Sequence, residues 1–258
     1  MVKNAENINK PKIVYSLVIP CYNESENLIN LVERCKYLLN EKDDIEVIIV
    51  DNGSTDNSSE VLAEILLNYH DERLRSVRVK KNQGYGHGIL VGLEASSGDI
   101  LGWTHADLQT DPVDFLKATL IISKTEDSKL VFIKGKRYGR PFLDVCFTWG
   151  MSLVEWLILR TRLWDINAQP TVFSREFFIS LKRPPADFSI DLYFYNEAVR
   201  RNAIIKRFPV SFESRLKGEG HNEKLISKIK YSWKTIIFSI SLRRYLKASM
   251  TDKNKKVP

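Results

Sequence analysis

The chain has 258 residues, 43% hydrophobic and 28% charged, which is enough for one large α/β domain or two small ones. This ordinary composition excludes a fibrous or an intrinsically disordered protein. Three cysteines form no Cys-x-x-Cys pair and cannot all pair with one another, which predicts a reduced, intracellular setting. Residues 1–12 are polar and lack an apolar segment, so we expect a flexible N-terminus without a signal peptide.

The net charge of +7 is concentrated near the C-terminus. From Arg215 onwards, twelve Lys and Arg residues accompany three acidic residues; this balance of +9 leaves −2 for the rest of the chain. A basic segment of this kind is expected to meet nucleic acid, an anionic membrane surface or an acidic partner.

The first hundred residues predict four strands that alternate with helices. The strands are expected at 13–19, where Pro20 breaks the run, at 45–50, at 76–79 and from Ile100 to Trp103. Asn23 or Ser25 is expected to cap the first helix. The apolar residues of that helix recur along one face: Leu28, Leu31, Val32, Cys35, Leu38 and Leu39. This alternation predicts a parallel sheet with helices on both faces.

The second half predicts a more varied set of elements. A strand at 129–134 is expected to end in the basic cluster of Lys134, Lys136, Arg137 and Arg140. The apolar segment 145–159 is short for a membrane span and predicts a buried or membrane-resting helix. A short strand is expected after the polar loop that starts at Trp164. A helix from about 190 to Arg201 and an edge strand at 204–212, interrupted by Pro209, follow.

A last helix is predicted from the spacing of apolar residues between 225 and 240. Lys and Arg take the other positions, so we expect a basic amphipathic helix that lies on a membrane. Nucleic-acid binding is not expected, because motifs for base stacking are absent and the basic residues occupy one side of the helix.

Polar side chains follow the fourth strand at the point where its apolar run ends. His105, Asp107, Gln109 and Asp111 come directly after Trp103. In open α/β sheets ligands bind outside the carboxyl ends of the strands, and alternating oxygen ligands suit a divalent cation carried by a phosphate-bearing substrate. The alternative is a solvated turn that leads into the next helix.

The turns after the other strands favour a phosphate-bearing ligand of the same kind. The backbone amides of these turns lie beside predicted helix N-termini, which attract phosphate. The carboxylate of Asp51, in the turn after the second strand, can accept hydrogen bonds from a base or a ribose. The glycines of segment 84–88 follow the third strand with the wrong spacing for a dinucleotide fingerprint. A nicotinamide or flavin enzyme is therefore excluded.

Four motifs in order resemble one family, the family 2 glycosyltransferases with a GT-A fold. The motifs occupy residues 18–24 (VIPCYNE), 49–56 (IVDNGSTD), 82–86 (NQGYG) and 105–109 (HADLQ). The chain most resembles the dolichyl- or polyprenyl-phosphate sugar synthase branch, through segments 135–138, 165–175 and 208–215 with Gly218. The resemblance implies a GT-A domain at 1–215, with a mostly parallel sheet between helices, and a basic amphipathic segment at 216–258.

The resemblance also implies roles for individual residues. Residues expected to bind the nucleotide-sugar, UDP- or GDP-linked, are Pro20, Tyr22, Glu24, Asp51, Asn82, Gly84 and His105. Asp107 and Gln109 are expected to hold Mg²⁺ or Mn²⁺, which stabilises the leaving nucleotide diphosphate. Residues expected to bind phosphates of the donor or acceptor are Arg137, Arg175 and Arg215. The expected catalytic residues are Asp107, Arg137 and Asp191.

The chain departs from the family pattern at two places. His105 stands where the family has the first aspartate of the metal motif, and an imidazole suits Mn²⁺ or Zn²⁺ better than Mg²⁺. Its expected role is to bind a metal, to contact the diphosphate or to fill space. Residues 167–170 (NAQP) replace a Ser-Gly pair of the family loop, which weakens inference about the acceptor.

Three functions are consistent with these residues. The first is inverting sugar transfer to a polyprenyl phosphate at the cytoplasmic membrane face, where an ionised acceptor needs no general base and the basic tail binds anionic lipid. The second keeps the fold but transfers to a sugar hydroxyl, as in glycan assembly, with Asp191 as the base. The third is a non-catalytic nucleotide-sugar-binding subunit.

Overall fold

Seven strands form one mixed sheet in the computed structural model, which describes residues 12–127, 131–212 and 225–254. The strands are β1 (Tyr15–Cys21), β2 (Ile45–Asp51), β3 (Leu74–Arg78), β4 (Ile100–Trp103), β5 (Val131–Tyr138), β6 (Thr171–Ser174) and β7 (Ile204–Ser211). Their order across the sheet is β3-β2-β1-β4-β6-β5-β7. Only β6 runs antiparallel to its neighbours among these strands, so the predicted mostly parallel sheet is confirmed with one reversed strand.

Helices cover both faces of the sheet. They are α1 (Leu28–Glu41), α2 (Ser58–Leu67), α3 (Tyr85–Ala95), α4 (Phe115–Ser123), α5 (Phe142–Leu159), α6 (Arg175–Ser180), α7 (Ile190–Arg200) and α8 (Leu225–Asn254). Successive side chains of β1 point to opposite faces, so Leu17 packs in the core beneath α1 whereas Val18 packs in the core beneath α3. Burial on both faces explains why the central strands are almost wholly apolar.

Several predicted boundaries are wrong by a few residues. β1 continues through Pro20, because its pairing with β4 ends at Val18 and the missing amide of the proline falls beyond that register. Helix α1 begins only after Asn27, so neither Asn23 nor Ser25 caps it. β5 runs to Tyr138, four residues past its predicted end, because β7 pairs with it along its full length.

Helix α5 is the apolar helix predicted at 145–159, and it packs against α8. Among the described residues it is the one helix long and apolar enough, by length and composition alone, to cross a membrane. Its Glu155 accepts a hydrogen bond from the Ser239 hydroxyl of α8, and Arg243 donates to the Leu159 carbonyl. The predicted last helix forms as part of α8, but its side chains are described only at 232–246, so its amphipathic character stays a prediction.

Glu155 makes the α5–α8 contact sensitive to pH. The carboxyl is buried and its Oε1 has no hydrogen-bond partner, so burial raises the pKa of Glu155 to about 7, only partly offset by the Ser239 hydroxyl. The pKa of Glu155 is about 7 in the folded protein and about 4.5 in the unfolded chain. The contribution of this group to stability is therefore complete below about pH 4.5 and is lost as the pH rises through 7.

We therefore expect the protein to lose about 1 kcal/mol of stability between pH 6 and pH 8 through this group. Glu155→Gln removes the titration and should abolish this part of the pH dependence of the melting temperature. Glu94→Gln, an exposed glutamate on α3, is the control and should leave the dependence unchanged. Equal pH dependence in the Glu155→Gln and wild-type proteins would contradict the assignment.

Candidate functional site

The predicted donor-binding residues converge at the carboxyl edge of the sheet. β1 ends at Cys21, β2 at Asp51 and β4 at Trp103, and the polar turns that follow these strands are neighbours because the strands are parallel and adjacent. Pro20 is buried in β1, and Tyr22 is half-buried just beyond it. The amide of Glu24 donates to the Ser58 hydroxyl, which joins the first turn to the start of α2.

The carboxylate of Asp51 is buried and held inside its own turn. Its Oδ1 accepts the Ser54 amide at 2.9 Å, and its Oδ2 accepts the Ser59 hydroxyl. The Arg78 guanidinium lies 3.4 Å from the same oxygen. Asp51 therefore stabilises the turn before α2, and these contacts hold its carboxylate at the carboxyl edge of the sheet.

The glycine-rich turn packs closely against its neighbours. Gly84 has a φ of +119°, and a Cβ there would lie 2.4 Å from the Ala186 carbonyl oxygen, so only glycine fits. Asn82 accepts the Gly84 amide through its side-chain oxygen, while the Asn52 side-chain amide donates to the Gly84 carbonyl. These bonds place the N-terminus of α3 beside the Asp51 turn.

The metal motif forms a tight loop after β4. The hydroxyls of Thr104 and Thr110 are 3.3 Å apart and close its base, and Leu108 has a left-handed φ of +57° that turns the chain within the motif. The carboxylate of Asp107 is largely buried and its Oδ1 accepts the Gln109 amide at 3.1 Å. The loop is thus fixed before any ligand binds.

His105 is held between the motif and α3 by an aromatic stack. Its ring lies 5.5 Å from that of Tyr85, which stacks in turn on Phe188 at 4.8 Å. The Tyr85 hydroxyl is 3.4 Å from His105 Nδ1. Burial, together with repulsion from Asp191 and Asp107, raises the pKa of Tyr85 well above its usual value, so the phenol stays neutral. The stack fixes the orientation of the imidazole.

Asp191 lies in a buried polar network behind this stack. Its Oδ1 accepts the Gln169 side-chain amide at 2.7 Å and lies 3.6 Å from Lys134 Nζ. Lys134 also donates to the Thr171 hydroxyl at 2.7 Å. Burial lowers the pKa of Lys134 to about 8, although Asp191 opposes the shift. The predicted base is therefore a partner of an internal lysine.

A second group of charges lies at the same edge, where β5 and β7 end. Asp165 is buried and accepts bonds from the backbone and guanidinium of Arg137, and Arg140 and Arg207 each lie 3.7 Å from its carboxylate. Burial raises the pKa of Asp165, but the attraction and hydrogen bonds of Arg137 outweigh this and hold it below its usual value. These four residues form the arginine cluster, which has a formal charge of +2.

The structure does not bring Arg175 to the site, so the prediction that it binds phosphate is wrong. Arg175 follows the reversed strand β6, whose end pairs with the start of β4, at the edge of the sheet opposite the site. Its guanidinium donates to the carbonyls of Gly98 and Ser96 and thereby joins α6 to the end of α3. Arg215 lies outside the described residues.

Asp111 is not part of the metal motif's oxygen set either. Its carboxylate forms a two-bond ion pair with Arg34 of α1 and accepts the Val113 amide at the start of the next helix. The side chain of Gln109 lines a shallow depression beside this pair. The alternative interpretation of a helix-starting turn is therefore correct for Asp111.

A divalent cation fits the site only if the substrate supplies ligands. Within residues 12–127, 131–212 and 225–254, no group of three or more His, Cys, Asp or Glu is placed to hold a metal ion. Mg²⁺ and similar cations are commonly bound through one or two carboxylates together with substrate phosphates and water. The fixed carboxylate of Asp107 meets that requirement.

Sequence reasoning missed three residues that shape this site. Tyr85 lies within the glycine motif, where only the glycines drew attention. Lys134 was grouped with the basic cluster, although its position directly after the apolar run 131–133 indicates a buried strand residue. Asp165 lies in segment 165–175, which resembles a family loop, but the sequence does not predict its pairing because its three arginine partners come from distant segments.

The fold and the site together define a GT-A-like α/β protein with polar turns at the carboxyl edge of its sheet. Residues 16–143, about half of the chain, match the model of the family described as Glycosyl transferase family 2. This match confirms the predicted resemblance of this part of the chain to glycosyl transferase family 2.

Curated relatives agree with the predicted branch. The chain is 39% identical over 111 residues to the undecaprenyl-phosphate 4-deoxy-4-formamido-L-arabinose transferase of Proteus mirabilis (strain HI4320), an alignment that covers 42% of this chain and 32% of that protein. The protein of the same name from Yersinia pestis (strain Pestoides F) is 38% identical over 109 residues, 41% of this chain and 32% of its own. The match thus spans about a third of the length of these relatives.

Solved structures share the fold at low sequence identity. The mannosyltransferase PcManGT from Pyrobaculum calidifontis, solved with GDP-Man and Mn²⁺, has a TM-score of 0.62 at 17% identity and covers 84% of this chain and 61% of its own. Glucosyl-3-phosphoglycerate synthase from Mycobacterium tuberculosis, solved with Mn²⁺, UDP and glucosyl-3-phosphoglycerate, has a TM-score of 0.66 at 18% identity and covers 90% of this chain and 80% of its own. The GT-A-like fold is thereby confirmed.

Proposed function

We propose that the protein transfers a sugar, with inversion, from a nucleotide-diphosphate sugar to a polyprenyl phosphate. One observation carries the proposal: the donor-binding turns and the arginine cluster lie along the same edge of one sheet. The turns at Asp51, Gly84 and Asp107 form a donor side, and the arginine cluster forms an acceptor side beyond β6. The curated relatives are named as transferases of undecaprenyl phosphate, and these names support this choice of acceptor.

We propose that Asp107, with the Gln109 side chain as a further oxygen ligand, would hold a divalent cation that accompanies the donor diphosphate. Such a cation neutralises the charge that develops on the leaving nucleotide diphosphate. The neighbour structures named above contain Mn²⁺. The Tyr85 hydroxyl occupies Nδ1 of His105 and leaves Nε2 for the cation, so we favour Mn²⁺ over Mg²⁺.

The arginine cluster is proposed to bind the phosphate of the acceptor. Arg137 and Arg140 both lie against the Phe212 ring, at 5.0 and 5.7 Å, which limits their freedom and orients their guanidinium planes. Planar guanidinium groups suit a phosphate, and the cluster's charge of +2 attracts a dianion. A phosphate oxygen of the acceptor then attacks the anomeric carbon, and the nucleotide diphosphate leaves.

No general base is required for an ionised acceptor, and the surroundings of Asp191 agree with that. A base must accept a proton from a substrate hydroxyl, but this carboxylate is buried and paired with Lys134 and Gln169. We therefore assign Asp191 a positioning role and place transfer to a sugar hydroxyl second.

We place the reaction at the cytoplasmic face of a membrane, where the protein is peripherally bound. The basic tail at 216–258 is proposed to attract anionic lipid, and the boundary between the transferase domain and the tail is placed after residue 215. The last described strand ends at Ser211, which agrees with this boundary.

The proposal is tested by incubating purified protein with labelled UDP- and GDP-sugars and undecaprenyl phosphate, with Mn²⁺, Mg²⁺ or a chelator. We expect label in the organic phase for one donor, no product with the chelator and no product with undecaprenol, which lacks the phosphate. Transfer to the alcohol would support the hydroxyl alternative. Donor binding measured by calorimetry without transfer to any acceptor would support the non-catalytic alternative and overturn the proposal.

A further inference from the structure

Exposed apolar side chains are concentrated on one pair of helices. Eleven of the eighteen exposed large apolar residues in the described part of the chain lie on α5 and α8. On α5 they are Phe142, Leu143, Phe147, Trp149, Leu153, Trp156 and Leu157, and on α8 they are Trp233, Ile237, Ile240 and Tyr245. A patch of this kind is uncommon on a soluble monomer and marks an interaction surface. We call it the α5–α8 platform.

Helix α5 lies along the surface of the domain rather than away from it. At its C-terminal end, Leu159 and Leu163 are buried in the same core cluster as Trp103. At its N-terminal end, Arg140 donates to the Thr148 hydroxyl and to the Asp144 carbonyl while it contacts Asp165. Because both ends are attached to the same body, an 18-residue helix about 27 Å long cannot cross a bilayer in this fold.

Helix α8 supports α5 from its inner side. The inner faces meet at the Ser239–Glu155 and Arg243–Leu159 hydrogen bonds, and Leu242 and Leu246 join the core. The apolar side chains of both helices that face away from this contact stay exposed.

The charges around the platform are basic. Lys136, Arg160, Arg162, Lys234 and Arg244 are exposed at its ends and flanks. The two acids of α5 are Asp144, which is half-buried, and Glu155, which is buried, and the described side chains of α8 include no acid. Three exposed tryptophans lie among the aliphatic residues, a combination typical of segments at a membrane–water interface.

We propose that the α5–α8 platform rests on the surface of a bilayer that contains anionic lipid, with both helix axes along the membrane. Trp and Leu side chains enter the headgroup region, and the basic flank contacts anionic headgroups. The proposal rests on the proposed function for the identity of the acceptor, but it assigns membrane contact to α5 and its apolar residues rather than to the charge of the tail. The arginine cluster, at the N-terminal end of α5, then lies at the level of the headgroups.

The test is flotation of the full chain with vesicles of phosphatidylcholine alone or mixed with phosphatidylglycerol, at low and high salt. Leu153→Gln with Leu157→Gln removes two exposed leucines from α5 and keeps a good helix former. We expect this variant to bind mixed vesicles about 10- to 100-fold more weakly than wild type. The matched control is Ile29→Gln with Leu67→Gln, which removes two even more exposed apolar residues from α1 and α2 and should bind like wild type.

Wild-type binding to mixed vesicles should persist in part at high salt, because the contact is apolar as well as ionic. The proposal is overturned if high salt abolishes vesicle binding and the α5 variant binds like wild type. That result would assign membrane binding to the charge of the basic tail. A dimer that the α5 variant dissociates, without vesicle binding, would assign the platform to a second copy. Sugar transfer in detergent is measured in parallel. A variant that loses vesicle binding but keeps transfer would show that the membrane contact and the proposed transfer reaction are tested independently.

Discussion

Asp107→Asn is expected to lower kcat for sugar transfer by about 10²–10³-fold while leaving the fold intact. The substitution removes the negative charge proposed to hold the cation, but the new side-chain oxygen can still accept the Gln109 amide that Asp107 binds at 3.1 Å. The loop should therefore keep its shape, since the Thr104–Thr110 contact at its base is untouched. Initial rates at saturating donor over a range of Mn²⁺ concentrations measure the effect.

Asp111→Asn is the matched control from the same loop. Its partner Arg34 and Asp111 itself have side chains 42% and 41% exposed, so losing this ion pair should cost less than about 1 kcal/mol of stability and change transfer only a few-fold. His105→Asp is the companion variant and should shift the preferred cation toward Mg²⁺. Equal rates for the Asp107→Asn and wild-type proteins would contradict the metal assignment.

Asp165→Asn is expected to destabilise the protein by about 3–5 kcal/mol. The substitution leaves three buried or half-buried guanidinium groups around a neutral amide. Asparagine is nearly the same size and tolerates the left-handed φ of +48° at this position, so the effect isolates the charge. Urea denaturation at pH 7 gives the free energy of unfolding.

The stability that Asp165 provides also depends on pH. Because its folded pKa is lowered, the stabilisation is present above the unfolded value near 3.8 and is lost as the pH falls through the folded value. Asp99→Asn is the control, since this aspartate is 67% exposed and pairs only with the exposed Lys12 among the described residues. If both variants unfold at the same urea concentration, the arginine cluster does not need its central charge.

The N-terminal half of the fold could be predicted because its signals are local. The strands β1, β2 and β4 are apolar runs followed by polar turns, and the spacing of Leu28 to Leu39 describes the buried face of α1 as the structure has it. The direction of β6 could not be predicted. A four-residue strand does not specify whether it pairs parallel or antiparallel with β4, and its partners lie about 40 and 70 residues earlier in the chain.

The reversal of β6 also explains where site prediction failed. Asp165 precedes β6 and Arg175 follows it, so the two residues lie at opposite edges of the sheet; because β6 is reversed, Asp165 lies at the site edge and Arg175 at the other. The Lys134–Asp191 pair was unpredictable for a related reason, since its two members come from separate elements that meet only in the folded core.

The antiparallel pairing of β4 and β6 has a further consequence for how the molecule can move. It is the seam along which the sheet joins the proposed donor half (β3, β2, β1 and β4) to the proposed acceptor half (β6, β5 and β7). The seam is short, from Ile100 opposite Ser174 to Trp103 opposite Thr171, and at its middle Gly102 has no side chain. Helix α5 and the arginine cluster both belong to the acceptor half. A tilt about this seam would therefore change the distance between the two substrates while leaving each binding surface internally rigid.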